Sequence, residues 1–333
     1  MTVRVGINGF GRIGRNFYRA LRAREAGIEV VAVNDLGSRE VMAHLLRRDS
    51  VLGPAPWDVT LADAGIAIDG DVLPVLAQRD PAALPWGDLG VQVVVESTGF
   101  FTSRDKAAAH LSAGAGRVVI SAPASGVDAT FVVGVNDDSF DPDSHRVVSN
   151  ASCTTNCFVP MVKVLDDAFG VTQGFMSTVH AYTGDQMLVD GPHGDLRRTR
   201  AAAVNIIPTS TGAARATGLV LAAMQGRLDG IALRVPVADG SLTDFTATLE
   251  RPATTEEVNA AFAAAAASGP LEGVLEYSTE PLVSSDIVGS PASCVLDSGL
   301  TMAGGTLVKV CGWYDNEWGY SNRLVDLVGR IGC

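Results

Sequence analysis

The stretch N-A-S-C-T-T-N-C, residues 150–157, sets two cysteines four apart among small hydroxyl and amide side chains. The apolar run Phe158, Val159, Met161, Val162, Val164 and Leu165 follows at once, and a polar start before an apolar periodic segment marks a helix N-terminus. Cys153 then falls at or just inside that terminus, where unpaired N–H groups lower a thiol pKa below its ordinary value of about 8.5. Cys157, one turn later, points inward and reads as a small core residue. Position alone leaves Cys153 open between a nucleophile and a buried, inert thiol. A nucleophilic thiol needs a base, and the suggestive histidine is His180 in T-V-H-A-Y-T, after the apparent strand Phe175–Val179. A histidine in that place is also a common structural residue. His44 and His110 lie on helices of the first half, His145 in an acidic turn and His193 in a Pro-Gly loop.

A second constellation follows the first apolar strand: N-G-F-G-R-I-G-R, with Gly9, Gly11 and Gly14 in G-x-G-x-x-G order. Gly9 permits a tight turn, Gly11 lets backbone approach a pyrophosphate, and Gly14 lets helix and strand pack closely. The pyrophosphate would rest on the N-terminus of a helix beginning near Arg12. Glycines collect in ordinary turns too, so the context decides: strand before, helix after, then a second strand ending in Asn34-Asp35. Asp35 stands about 20 residues beyond the last glycine, where a ribose-binding carboxylate belongs. A carboxylate there repels a 2′-phosphate, which favours NAD over NADP, although Ser38-Arg39 is close by.

These groups need elements to hold them. Val3–Ile7, Glu29–Val33, Val91–Val95 and Arg117–Ile120 read as buried strands. Ser103–Ala113 lies between the last two as a helix, with Ser103 as its cap and Asp105 in its first turn. That alternation predicts an α/β doubly wound parallel-sheet (Rossmann) domain. In the second half Ala232–Val237, Thr243–Glu250 and Thr306–Tyr314 are β-rich runs that suit an α+β domain with a mixed sheet. Thr254 and Glu257 form a capping box for a helix running to Ala267, ended by Gly269-Pro270. Glu317–Ile331 spaces its apolar residues as an amphipathic helix that docks on the first domain. The chain has 333 residues, enough for two domains, and a formal charge of -12 speaks against nucleic acid and anionic membrane as partners. Five scattered cysteines and a start that runs directly into a strand, without a leader pattern, place the protein in a reducing cytoplasm.

Taken together, I-N-G-F-G-R-I-G-R, S-N-A-S-C-T-T-N-C, V-H-A-Y-T, N-I-I-P-T-S-T-G-A-A, L-R-V-P-V, V-S-S-D and W-Y-D-N-E-W-G-Y-S-N-R resemble phosphorylating glyceraldehyde-3-phosphate dehydrogenases, with an actinobacterial flavour. The match runs in order from Val3 to about Val328. The resemblance implies residues 1–150 as NAD-binding domain, completed by the C-terminal helix 317–333, and 151–316 as catalytic domain. It implies Cys153 as the nucleophile, forming a hemithioacetal and then a thioester that inorganic phosphate cleaves, with His180 activating the thiol. It implies Thr183, Asp185 and Arg234 at the substrate phosphate, Asp185 orienting Arg234 or a substrate hydroxyl. Ser152, Thr154, Arg198, Thr211 and Gly212 would serve the attacking phosphate. Asn316 and Tyr320 would hold the nicotinamide, while Asn8, Arg12, Ile13, Asp35, Arg79, Thr98 and Ser121 line the cofactor. No metal is implied. A loop from Ala181 to about Ile206 at a subunit interface implies a homotetramer.

Some positions depart from the family pattern: Arg48, Leu52, Gly191 and the turn Ala238-Asp239-Gly240. They leave the reaction intact and raise a specialised isozyme, even one resisting an electrophile that attacks the catalytic cysteine. An erythrose-4-phosphate dehydrogenase, using water instead of phosphate, is the neighbouring alternative, disfavoured by Thr154, Thr211 and Arg198. A binding role at a surface or on RNA would be an addition to the enzyme.

Overall fold

The structure, a computed structural model, describes residues 2–332, which gather into two compact units. The first holds residues up to 131, 139–151 and those from 321 on; the second holds 132–138 and 152–320. Residues 1 and 333, the outer limits of the expected division, lie outside the described residues.

The first unit is built on a nine-stranded sheet in the order 129–130, 147–149, 117–120, 93–96, 3–8, 28–34, 71–76, 65–68, 59–62. Neighbours from 129–130 to 71–76 pair parallel, and the last two strands add antiparallel. Unbroken Val and Ile runs fit strands covered on both faces: Val93, Val94, Val95, Val118, Val119 and Ile120 are fully buried. The chain leaves strand 3–8 first toward 28–34 and later returns to 93–96 on its other side. That reversal opens a crevice at the C-terminal ends of strands 3–8 and 93–96. From Ser321 the last helix (Trp318–Gly332) belongs to this unit. Arg24 bonds Asp326 at 2.5 Å and Asn322 at 3.3 Å, while Leu324, Leu327, Val328 and Ile331 are buried.

Two local expectations differ. The third strand begins at Val93, because the Val91 N–H is taken by the Trp86 carbonyl. The helix expected over Ser103–Ala113 is two single turns, Arg104–Ala107 and Ala109–Ser112, and the Ser103 hydroxyl caps neither. The backbone tightens at Ala108 (ψ -16°), and the buried His110 that follows is tied to Trp86 and Glu96.

The second unit carries an eight-stranded mixed sheet. Its order is 207–210, 228–235, 171–181, 241–249, 307–314, 294–297, 275–278, with 302–304 added on 307–314. Strand Ser241–Leu249 alternates inward and outward at every residue, the signature of a sheet with one face on the core. That face carries the helix Cys153–Phe169 through Phe158, Met161 and Leu165, with Phe158 edge-on to Phe245 at 4.8 Å. The capping box at the helix Thr255–Ala267 is complete, with Thr254 Oγ1 and Glu257 Oε2 each accepting from the other's N–H.

Candidate active site

In the first unit the crevice is a cleft of about 370 Å3 whose lining includes Asn8, Gly9, Gly11, Asp35, Arg79 and Thr98. Gly9 has φ +95°, and a Cβ there would stand 2.6 Å from the Thr98 nitrogen. A Cβ on Gly14 would meet the Gly9 carbonyl oxygen at 2.1 Å, so only glycine lets the helix Arg12–Arg22 start against the strand. Over Gly11 there is open space. The helix start carries no side-chain cap and no acidic first turn, an electrostatic setting that suits an anion. Asp35 accepts from the Phe10 N–H at 2.7 Å and the Gly37 N–H at 2.8 Å, and each oxygen keeps a lone pair for a ribose hydroxyl. These residues fit a dinucleotide.

Other expected cofactor residues sit less directly. Asn8 is 2% exposed, with its side chain committed below the cleft. It donates to Glu96 at 2.6 Å and accepts from Asn34 at 2.7 Å. Glu96 in turn meets His110 Nε2 at 2.9 Å, and Trp86 donates to His110 Nδ1 at 3.0 Å. Glu96 also accepts from the N–H and hydroxyl of Thr98, so the network holds two cleft-lining residues, Asn8 and Thr98, in place. Arg12 pairs with Asp49 at 2.5 Å, Ile13 is half-buried in the first helical turn, and Arg79 is exposed at the cleft. Ser121 stands outside the cleft lining, its N–H donating to the Glu96 carbonyl.

In the second unit Cys153 is the first residue of its helix and Ser152 the N-cap, with Ser152 Oγ accepting from the Thr155 N–H at 3.0 Å. Cys153 Sγ lies 3.5 Å from Nε2 of His180, the penultimate residue of strand Val171–Ala181. His180 Nδ1 faces the Ala181 carbonyl at 2.7 Å and Arg234 Nη1 at 2.6 Å. The thiol does not show the lowered pKa expected of a helix start. Burial pushes it up to about 11, against the pull of the Arg234 charge and of the Thr154 N–H and hydroxyl. Burial first and Arg234 second lower the imidazole to about 3. In this geometry the pair is therefore neutral, and the helix start orients the sulfur more than it ionises it.

The expected phosphate residues divide differently from expectation. Thr154 turns its hydroxyl inward, 2.9 Å from the Tyr314 hydroxyl, which also meets Thr178 at 2.8 Å. Asp185 takes Arg198 as its direct partner at 2.6 Å, not Arg234, and accepts from the Thr183 hydroxyl. Burial pushes the Asp185 carboxyl up, yet Thr183, Arg234 and Arg198 together hold it below the usual range. Arg198 also donates to Thr209 at 2.7 Å. Thr211 accepts from the Ala213 N–H at 3.2 Å, and Gly212 is exposed at the start of helix Ala213–Val220.

Ser241 was not singled out from the sequence. Fully buried, it accepts from the Ala181 N–H at 3.1 Å and donates to Asn316 Oδ1 at 2.7 Å. Asn316 and Tyr320 are themselves buried. Asp315 holds the same segment, accepting from the N–H groups of Gly289, Glu317 and Trp318. Against it lies Asp239, 3% exposed, whose carboxyl is raised to about 8 by burial and then by Asp315 and Glu317. No group of three or more His, Cys, Asp or Glu among the described residues could hold a metal ion.

Comparison with known proteins agrees with this geometry. Residues 3–104 match the family model "Glyceraldehyde 3-phosphate dehydrogenase, NAD binding domain", and 152–316 match its C-terminal domain. The chain is 61% identical over 332 residues to "Glyceraldehyde-3-phosphate dehydrogenase 2" of Streptomyces arenae, covering 100% of this chain and 99% of the relative. It is 59% identical to "Glyceraldehyde-3-phosphate dehydrogenase" of Streptomyces coelicolor and 61% to that of Mycobacterium avium, each at 100% and 99% coverage. With a dinucleotide cleft in one unit, a thiol–imidazole pair in the other and likeness along its whole length, the chain belongs to the glyceraldehyde 3-phosphate dehydrogenase family.

Proposed function

We propose that the chain oxidises glyceraldehyde 3-phosphate with NAD and inorganic phosphate to 1,3-bisphosphoglycerate, through a covalent intermediate on Cys153. The observation that carries this reading is the Cys153 Sγ at 3.5 Å from His180 Nε2, with the sulfur at a helix start. When Nδ1–H is donated to Ala181, Nε2 offers its lone pair to the thiol. His180 then takes the thiol proton as Cys153 attacks the aldehyde carbon, giving a hemithioacetal. The Cys153 N–H and the imidazolium steady its oxyanion. When bound, NAD supplies the acceptor for the hydride leaving that carbon. The imidazolium first gives its proton to the oxyanion, and His180 takes that hydroxyl proton back as the hydride leaves. Inorganic phosphate then cleaves the resulting thioester, with Cys153 leaving as the thiol on the proton His180 holds. Arg234 and Thr183 serve the substrate phosphate; Ser152, Arg198, Thr211 and Gly212 serve the attacking one. A phosphate that draws Arg234 away leaves Nδ1 to Ala181 and offsets the charge that suppresses the imidazolium. Substrate binding would thus release the neutral pair for proton transfer.

The test is NADH formation from glyceraldehyde 3-phosphate and NAD, with and without inorganic phosphate. Phosphate should stimulate steady turnover strongly. Turnover indifferent to phosphate would remove the acyl-transfer half of the reading, and faster oxidation of erythrose 4-phosphate without phosphate would favour that alternative.

Asn316 is assigned to the nicotinamide carboxamide. Because Ser241 donates to Oδ1, Asn316 Nδ2 is left to donate to the carboxamide oxygen. In Ser241→Ala the amide can flip. NAD answers a flipped amide by turning its own carboxamide, but the 3-acetylpyridine analogue has only a carbonyl to present. Ser241→Ala is expected to lower kcat/KM for the analogue roughly tenfold more than for NAD. Equal losses for both cofactors would refute this positioning role.

A homotetramer is the assembly we assign, supported by Leu188, Val189, Leu196, Val204 and Ile206, which are exposed between residues 182 and 206. Light scattering of the purified chain checks it. Free thiols at Cys153, Cys157, Cys294 and Cys311 support a cytoplasmic home. The negative charge speaks against nucleic acid as a partner, small anions being left to local basic residues such as Arg198 and Arg234, and no described helix is long and apolar enough to cross a membrane.

A further inference from the structure

Gly312, in strand Leu307–Tyr314, marks a place where sulfur atoms converge. A Cβ on it would stand 2.6 Å from Cys294 Sγ, 2.7 Å from Met161 Sδ and 3.3 Å from Cys157 Sγ. Cys157 and Cys294 are fully buried, and each thiol faces the same point over Gly312. Cys157 Sγ also donates to the Gly312 carbonyl at 3.6 Å. On the other side Cys157 lies one helical turn from Cys153, on the same face of the same helix. Cys153 packs on the core cluster that contains both buried thiols. The three cysteines therefore form a row from the half-buried Cys153 inward to Cys294. Cys311 is not in the row: it pairs across the sheet with Asp244, next to Lys309.

The reaction proposed above uses only the first of these thiols. We propose that Cys157 and Cys294 are a reducing dithiol that clears hydrogen peroxide damage from Cys153 by becoming a disulfide. As His180 takes the thiol proton, the Cys153 sulfur attacks one peroxide oxygen, the O–O bond breaks, and the leaving hydroxide takes that proton to become water, giving a sulfenic acid. The Cys157 sulfur attacks the Cys153 sulfur and expels the second oxygen as water, forming a Cys153–Cys157 disulfide. Cys294 then attacks the Cys157 sulfur, and Cys153 leaves and takes up the proton that Cys294 gives up. In sum, two buried thiols lose two electrons and two protons, and one peroxide becomes two waters. The direction follows from surroundings: Cys153 has the Thr154 N–H and hydroxyl and the Arg234 charge to receive it as leaving thiolate. Burial keeps Cys294 protonated, so the exchange is slow and the dithiol stays out of ordinary turnover. Cys153 sits in the first turn of its helix, where fraying lets its sulfur reach Cys157.

The inference rests on Cys153 being the reactive thiol, and its test separates the two. Reduced full-length enzyme is treated with about one equivalent of hydrogen peroxide, blocked with an alkylating agent, and mapped by mass spectrometry without reductant, alongside activity. In wild type most activity is expected to remain before alkylation, and after it a Cys157–Cys294 linked peptide with Cys153 carrying the alkyl block. Cys294→Ala should lose activity roughly tenfold faster, with Cys153 held to Cys157 or driven to sulfinic acid. Cys294→Ser is the second variant should alanine unsettle the core, and Cys311→Ala should behave as wild type. No linked peptide, with wild type and Cys294→Ala inactivated at one rate, would overturn the proposal. Oxidation that never touches Cys153 in any variant would sink the nucleophile assignment as well.

Discussion

Cys153→Ser should lower kcat/KM for glyceraldehyde 3-phosphate by roughly four orders of magnitude or more, with folding and NAD binding unchanged. A serine hydroxyl is a far weaker acid than a thiol, and the imidazole facing it is neutral, with burial and then Arg234 lowering its pKa to about 3. Even once substrate phosphate draws Arg234 from the imidazole, His180 would take a serine proton far less readily than a thiol proton. An ester would also hold its acyl group against phosphate better than a thioester does. Stability should change little, because the half-buried side chain differs by one atom and Ser152, not Cys153, caps the helix. Steady-state rates, urea unfolding and NAD titration together check this. A variant that keeps a tenth of wild-type activity would remove Cys153 from the chemistry.

The second large effect concerns stability. Asp239→Asn should stabilise the fold at alkaline pH, on the order of 3–5 kcal/mol, with little change at or below pH 3.8. Asp239 is 3% exposed and faces Asp315, with Glu317 also near, and its folded pKa is raised from 3.8 to about 8 by burial and then by these two carboxylates. A raised folded value means that the native state binds the proton more tightly than the unfolded chain. The stabilisation is therefore full below the unfolded value of 3.8 and is lost as pH climbs to about 8. Asparagine removes the titration and can donate its amide to Asp315. Urea midpoints of wild type and variant should diverge with pH across that window and run parallel above it. Parallel curves throughout would mean that Asp239 titrates normally.

Much of the site could be read because its signals are local. The spacing of Gly9, Gly11 and Gly14 sits within one turn between a strand and a helix. The helix start at Cys153 and the capping box at Thr254 each depend on residues a few positions apart. What escaped depends on distant pairing. Asn8, Glu96 and His110 meet across 88 and 102 residues of sequence, so the network that ties the cleft-lining Asn8 in place was not legible. Ser241 meets Asn316 across 75 residues, and its role follows only from strand register. Asp185 illustrates the same limit, since its expected partner was Arg234 or a substrate hydroxyl and only folding put Arg198 at 2.6 Å. At Cys153 the helix-start effect is local and legible, whereas the burial that opposes it comes from the whole unit.

The most direct measurement is a rapid-quench experiment without phosphate. Enzyme, NAD and glyceraldehyde 3-phosphate are mixed, NADH is followed, and the protein is quenched in acid for intact and peptide mass analysis. The account predicts a burst of one NADH per active site, one acyl group on the peptide bearing Cys153, and its release when inorganic phosphate is added before the quench. A burst with no acyl group on Cys153, or an adduct that phosphate fails to discharge, would contradict it.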